Sequence, residues 1–308
     1  MINNKLISEH ALKYGFGLVG FSPVTLLTKE TSRLKEWLEE GNHAGMGYME
    51  RNLEKKENVK EILASAESVI SLGMFYNSGE VHEKQNEEKQ EFGKVSRYAW
   101  GTDYHFIMWE RLEEMIDELK EIDSGFEAVF YVDTGPVMDK VWAVKSGLGW
   151  QGKNTNVINK DSGSFFFIAN IINNKKFDYS IPLPDFCGTC SACIDACPTD
   201  ALKPYHIDAR KCISYLTIEN KGEIPKEFKG KFENWIFGCD ICQDVCPWNK
   251  KFSLITSELK FHSSGNKELE IEKILNMEKE EFKKRFEVSP IKRSKLLGLK
   301  RNAEYLKS

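Results

Sequence analysis

Cys187-Gly188-Thr189-Cys190-Ser191-Ala192-Cys193-Ile194-Asp195-Ala196-Cys197-Pro198 is the stretch that decides how this chain is built. Cys239-Asp240-Ile241-Cys242-Gln243-Asp244-Val245-Cys246-Pro247 repeats it with one cysteine missing. Three thiols at two-residue gaps, then a fourth followed by proline, have the spacing of bacterial ferredoxins. Short spacers let successive thiolates reach successive irons of one [4Fe-4S] cubane, and the Cys before Pro is carried to the neighbouring cluster. The rule puts Cys187, Cys190 and Cys193 with Cys246 on one cluster, and Cys239 and Cys242 with Cys197 on a second. That second set lacks a ligand, and Cys212 is the one cysteine left to supply it; a buried structural thiol is the alternative reading of Cys212. Zinc competes as the metal, since pairs of C-x2-C can make four-thiolate sites. Two interlocked copies, one with three cysteines at two-residue gaps, fit zinc poorly.

Outside residues 187–246 the chain has no cysteine, which in a reducing compartment points to metal and not to disulfides. With 308 residues, 41% of them hydrophobic and 12% aromatic, the chain can bury one large core and a smaller one. The opening Met-Ile-Asn-Asn-Lys-Leu-Ile-Ser-Glu-His lacks the apolar centre and small-residue cleavage site of a secretion signal. The longest apolar run, residues 165–172, is less than half of the roughly 20 residues needed to span a bilayer. A soluble, cytoplasmic protein is expected.

Upstream, helices and strands alternate. Leu6, Ile7 and Leu12 give an apolar face to a helix from Asn4 to Tyr14, ended by Gly15 and Gly17. Strands are expected over 18–21, 68–76, 126–132, 156–158 and 164–172, the last two flanking a turn at 161–163. Helices are expected over 31–40, 109–121 and 137–146. The segment 45–49 reads as a loop that could lie against a ligand, and the polar residues 77–90 as a flexible excursion. The expected organisation is an α/β domain over 1–175, a ferredoxin-like domain carrying two [4Fe-4S] clusters over 176–255, and a short helical segment over 256–308. The only internal repeat is the cysteine motif.

Charge is uneven. The chain has 43 basic and 47 acidic residues, yet Lys283, Lys284, Arg285, Lys292, Arg293, Lys295, Lys300 and Arg301 face the single acid Glu287 in the span 283–301. This leaves a net charge of about −11 on the remainder against a formal −4 overall. A basic tail on an acidic body suits a polyanionic partner, or is a solvated helix face.

Several motifs together resemble the epoxyqueuosine reductases, cobalamin-dependent iron-sulfur enzymes that complete queuosine in tRNA. They are Ser96-Arg97-Tyr98-Ala99 with Gly101-x-Asp103-Tyr104-His105, Val132-Asp133-Thr134-Gly135-Pro136-Val137, Gly147-Leu148-Gly149-Trp150-x-Gly152-Lys153-Asn154-Thr155, both cysteine motifs, and 212–219. The resemblance implies an N-terminal cobalamin-binding α/β domain, two clusters as an electron wire, and the anticodon region of a tRNA as substrate. It also implies an external low-potential electron donor, and a monomer is expected. Asp133 becomes the candidate proton donor to the departing epoxide oxygen, its alternative being a turn cap before Gly135-Pro136. Arg97, Tyr98, Asp133, Lys153, Asn154 and Thr155 become candidate cobalamin contacts, whose donors suit its amides and phosphate-linked tail. His105 could approach cobalt or simply pack, and Trp248 could shield a cluster or pack. The glycines around Trp150 make no dinucleotide fingerprint.

The chain departs from the family pattern in three ways. It stops at Ser308 where relatives continue into a helical-repeat domain, and it has Gly135 and Asp139 where Ala and Glu are expected. Two other readings stay open: a related corrinoid iron-sulfur reductase of a small molecule, such as a reductive dehalogenase, and a non-catalytic ferredoxin-type electron carrier. The basic tail favours tRNA over a small substrate, and the long N-terminal domain with Asp133 argues against a bare carrier.

Overall fold

The computed structural model describes residues 2–82 and 91–308. Helix α1 (Asn4–Lys13) is capped by the Asn3 side chain, which accepts the Leu6 N–H, and Gly15 in the left-handed region turns the chain out of it. There follow β1 (Leu18–Pro23), α2 (Thr28–Glu39), α3 (Leu53–Glu57), β2 (Ser68–Phe75), β3 (Phe92–Val95) and α4 (Tyr104–Ile122). Next come β4 (Ala128–Tyr131), α5 (Asp139–Lys145), β5 (Trp150–Gln151), β6 (Val157–Ile158) and β7 (Phe166–Asn173). The cysteine-bearing stretch adds α6 (Ala192–Asp195), β8 (Leu202–Lys203), β9 (His206–Ile207), α7 (Ile213–Ile218), β10 (Trp235–Phe237), α8 (Ile241–Asp244) and α9 (Pro247–Phe252). The chain closes with β11 (Glu268–Glu270), α10 (Ile271–Asn276), α11 (Lys279–Phe286) and α12 (Lys295–Lys307). Among the described residues no helix is long and apolar enough to cross a membrane.

The expected mixture of helix and strand is present, and the main sheet, ordered β1-β2-β7-β4, is antiparallel throughout. Its two central strands are buried almost end to end because helices cover both faces. Ile70, Leu72, Met74, Phe167, Ala169 and Ile171 meet α1 and α4 on one face. Val69 and Ile172 meet Trp142 of α5 on the other. On that second face Ser71 Oγ donates to Asn170 Oδ1 at 2.6 Å, and Asn170 Nδ2 donates to Asp139 Oδ1 at 2.7 Å, which fixes the start of α5 over the sheet. The two strands expected around 161–163 form but pair apart: β6 joins β5, while β7 moves to the sheet centre.

The second core crosses the boundaries expected at residues 175 and 255. Strand β3 lies between β10, parallel to it, and β11, antiparallel. Around this small sheet Val95, Trp100, Leu216, Phe237, Leu269 and Leu299 are packed in one apolar cluster. Residues 256–308 therefore share their core with residues from the two preceding stretches. Of the excursion expected over 77–90, Asn77 and Ser78 are buried, and the His82 ring stands edge-on to Trp100 and Trp235. Residues 83–90 lie outside the described residues.

Candidate active site and cluster-binding region

Strand β4 ends in a tight loop in which Asp133 takes φ +60, a left-handed conformation that Asp tolerates better than most side chains. The Thr134 N–H closes back onto the Val132 carbonyl at 2.6 Å, so the Asp133 side chain projects outward and is exposed. Tyr104, at the start of α4, donates its hydroxyl to Asp133 Oδ2 at 2.9 Å. Its ring is held between Phe167 (centroids 4.0 Å apart) and His105 (4.1 Å), which fixes the direction of that hydrogen bond. Burial and the Asp133 charge push the Tyr104 phenol well above its ordinary range, so it stays a neutral donor. His105 is itself held, its Nδ1 lying 2.7 Å from Asp103 Oδ1. Burial pushes the Asp103 carboxyl up, but the hydrogen bond and charge of His105, with the Lys292 charge, bring it below the usual range.

The charge of Asp133 reaches Tyr48, Tyr98, Asp139, Lys140 and Arg293, which marks it as the centre of the site. Burial pushes the Asp139 carboxyl up to about 7, with Asp133 adding to the effect and the Asn170 hydrogen bond opposing it. Burial lowers the Lys140 ammonium, while Asp133 and the thiols Cys242 and Cys212 pull it back. Yet Lys140, Asp133 and Thr134 are exposed. Groups desolvated by surrounding protein and still open to solvent are what the floor of a concave site presents. Its rim includes Tyr48, in the loop expected to lie against a ligand, and a paired Glu219–Arg293 at 2.9 and 3.2 Å. Lys140 Nζ donates to Thr155 O and Asn156 Oδ1, both at 3.1 Å. Sequence reasoning missed Lys140, although one signal was available: a lysine in the first turn of a helix runs against the macrodipole and asks for a local reason.

None of the eight cysteines is in a disulfide. Cys193 is pushed up to about 11 by burial and by the charges of Cys187, Cys246 and Cys190; Cys246 is raised by burial and by Cys187 and Cys190. Burial raises Cys212 and Cys239, with Cys197 adding at the first and Cys242 and Cys212 at the second. Cys242 is raised by burial and by Cys212, Cys193 and Cys197. The thiols thus gather as 187/190/193/246 and 197/212/239/242, touching electrostatically through Cys193 and Cys242. Thiolates crowded and desolvated in this way are costly unless a cationic centre holds them, so the donor set fits iron-sulfur clusters.

The residues expected to hold cobalamin divide. The Tyr98 ring stands edge-on to Tyr104 and its phenol feels the Asp133 charge, while the Thr155 carbonyl accepts the Lys140 ammonium. Arg97 instead donates to Asp240 Oδ2 at 3.1 Å and Asp244 Oδ1 at 2.6 Å, behind the second cysteine motif. Lys153 Nζ donates to the carbonyls of Gly188 (2.6 Å) and Cys190 (2.9 Å), and Asn154 Nδ2 to that of Cys242 (3.3 Å). The polar side-chain groups of these three are directed at the cysteine-bearing stretch and not at the Asp133 floor. Trp248 packs on Trp150 and Phe252. Of the basic tail, Arg293 pairs with Glu219, Lys292 with Asp103, and Arg301 donates to the carbonyls of Leu216, Asn220 and Gly222.

A family model described as Epoxyqueuosine reductase QueG matches residues 56–134, and one described as 4Fe-4S double cluster binding domain matches residues 186–249. An epoxyqueuosine reductase of Leadbetterella byssophila is 43% identical over 304 residues, covering 99% of this chain and 98% of the relative. An epoxyqueuosine reductase crystallised with an epoxyqueuosine-modified tyrosine tRNA stem loop matches with TM-score 0.90 at 29% identity, covering 98% of this chain and 80% of that one. The Streptococcus thermophilus epoxyqueuosine reductase matches with TM-score 0.89 at 30% identity, covering 99% and 81%. This chain thus covers about four-fifths of the crystallised proteins and nearly all of the Leadbetterella relative. With whole-length identity at this level and family models matching the segments that hold Asp133 and the thiols, this chain belongs to the epoxyqueuosine reductase family.

Proposed function

We infer that the chain reduces epoxyqueuosine to queuosine in tRNA, with Asp133 giving a proton to the oxygen that leaves. Balance requires two electrons and two protons for each epoxide converted to an alkene and water. The observation that carries the reading is the Asp133 carboxyl, exposed on a tight left-handed loop and aimed by Tyr104, on a floor whose lysine feels the charges of Cys212 and Cys242. Tyr104 occupies Oδ2, leaving Oδ1 for substrate.

Cys187, Cys190, Cys193 and Cys246 hold one [4Fe-4S] cluster; Cys197, Cys212, Cys239 and Cys242 hold the other. The exposed Cys190 supports a surface position for the first set, and the influence of Cys212 and Cys242 on Lys140 supports a position beside the floor for the second. The polar groups of the floor fit cobalamin: Lys140, the Tyr98 and Tyr104 phenols and Thr155 would face its amides, the two tyrosine rings standing edge-on to each other. Cobalamin would supply a low-valent cobalt able to act as nucleophile or reductant, which no side chain can. Arg97, Lys153 and Asn154 support the cluster loops. An external low-potential donor delivers the electrons, the anticodon region of the tRNA enters over the rim, and the protein works as a cytoplasmic monomer.

Asp133→Asn keeps the shape and a hydrogen-bonding amide but has no proton to transfer. Product formation should fall about 10²-fold or more while cobalamin binding and cluster content stay at parental levels. Parental turnover in the variant would remove Asp133 from the chemistry.

A further inference from the structure

The loop between α5 and β6, quoted above as Gly147 to Thr155, makes its polar contacts with the cysteine-bearing stretch at the edge of the clusters. The Trp150 indole Nε1–H points at Cys187 Sγ over 3.5 Å. Trp150 is buried, and its ring is wedged edge-on against Trp248 (5.0 Å) and Phe186 (5.1 Å), so the N–H cannot swing away. A side chain at Gly149 would run into the Ile158 carbonyl, which is how the loop comes close enough for this contact. Three residues after Trp150, Lys153 places its ammonium on the carbonyls of Gly188 and Cys190.

We propose that Trp150 and Lys153 are positioning residues that raise the reduction potential of the cluster held by Cys187, Cys190, Cys193 and Cys246 relative to its neighbour. A reduced cluster carries one more negative charge, spread onto its sulfurs. A fixed N–H dipole and a nearby cation stabilise that charge, the more so in a dry surrounding. One group opposes them: Asp185, whose carboxylate accepts the Cys187 N–H at 2.7 Å and the Tyr205 hydroxyl, and whose charge Lys153 offsets. The other set has a different surrounding. Cys197 Sγ lies 3.7 Å from the Thr199 hydroxyl, backbone N–H groups reach Cys212 and Cys239, and the buried Asp240 carboxylate adds negative charge beside Cys239 and Cys242. Arg97 covers part of that charge, and Lys140 adds a cation on the side of Cys212 and Cys242. The difference makes the surface cluster the resting place of an electron waiting for its partner, which suits a reaction that consumes electrons in pairs.

The inference rests on the two-cluster reading, and the experiment separates the two. Reduction potentials are measured by anaerobic redox titration with electron paramagnetic resonance detection on the parent, Trp150→Phe, Lys153→Met and Lys153→Arg, with iron and sulfide counted in each. Cys212→Ser, which alters one set alone, identifies the second cluster's signal. Trp150→Phe and Lys153→Met should each lower the potential of the Cys187 set and leave the other in place. The electron-exchange equilibrium between the clusters should shift by about three- to tenfold, a tenfold change being about 59 mV for one electron. Lys153→Arg, which keeps the charge, should restore most of the parental value. Unchanged potentials in fully loaded Trp150→Phe and Lys153→Met, or equal shifts of both clusters, would overturn the proposal. Should Trp150→Phe load incompletely, the Lys153 pair decides alone. A parent without iron would instead overturn the cluster reading.

Discussion

Asp139 and Asp133 are two carboxyls on one floor with different surroundings. Asp139 is shorter by one methylene than the Glu expected there, and its Oδ1 reaches Asn170 Nδ2 at 2.7 Å on the sheet. Gly135 stands beside it in the same logic: a Cβ there would strike the Tyr131 ring, so the expected Ala could not fit this packing. Because burial raises Asp139 to about 7, the folded chain keeps a proton that the unfolded chain releases near pH 4. Between those values stability falls as pH rises, and above about 7 the loss is complete. Asp139→Asn should therefore match the parent near pH 4 and exceed it at pH 8, by no more than about 4 kcal/mol, in denaturant melts at equal cofactor content. Parallel pH profiles for parent and variant would show that Asp139 ionises without cost. Which residues meet which was legible here only in part. A domain for two clusters was legible from spacing, because the thiols of a cubane recur at short gaps along the chain. The partners of Arg97, Lys153 and Asn154 lie 143, 37 and 88 positions away, and no local pattern announces them.

Helix α7 joins chemistry to architecture. Cys212 is its N-cap residue, and Arg301 of α12 donates to the Leu216 carbonyl in its last turn and to the Asn220 and Gly222 carbonyls in the segment that follows. Asn302 adds bonds to the carbonyls of Thr217 and Ile236. A cation at a helix C-terminus satisfies carbonyls that have no partner within the helix and opposes the negative end of its dipole. Arg301→Ala should thus cost about 1–3 kcal/mol of stability by leaving half-buried acceptors unmet. It should also loosen Cys212, so that the Cys197/212/239/242 cluster is lost on oxygen exposure faster than its neighbour. Equal lability of the two clusters would disconnect α12 from Cys212. The helices of the C-terminal stretch were legible from composition, but their role as a wall of the second core was not, since their partner strand β3 lies far upstream.

At the scale of the molecule, the basic span 283–301 is divided between packing and open charge. Lys292, Arg293 and Arg301 have partners within the chain, so they are poor tests of contact with tRNA. Lys284, Arg285, Lys295 and Lys300 make no ion pair with an acid among the described residues, and the first three are exposed. If this face meets phosphates, each contact releases condensed counterions. Neutralising these four together should flatten the dependence of log affinity on log salt by up to about 0.9 per contact and leave both cluster spectra as they were. An unchanged slope would make the span a solvated face.

Strand β3 is made early and completed late. It needs β10 on one side and β11 on the other, so after Val95 leaves the ribosome about 175 more residues must follow before Glu270 can pair. At about 5–20 residues per second, that is roughly 10–35 s during which a nascent chain carries an unsealed edge. Cys239, Cys242 and Cys246 emerge within the same interval. Metal loading and closure of the second core therefore fall in one late stage of biogenesis.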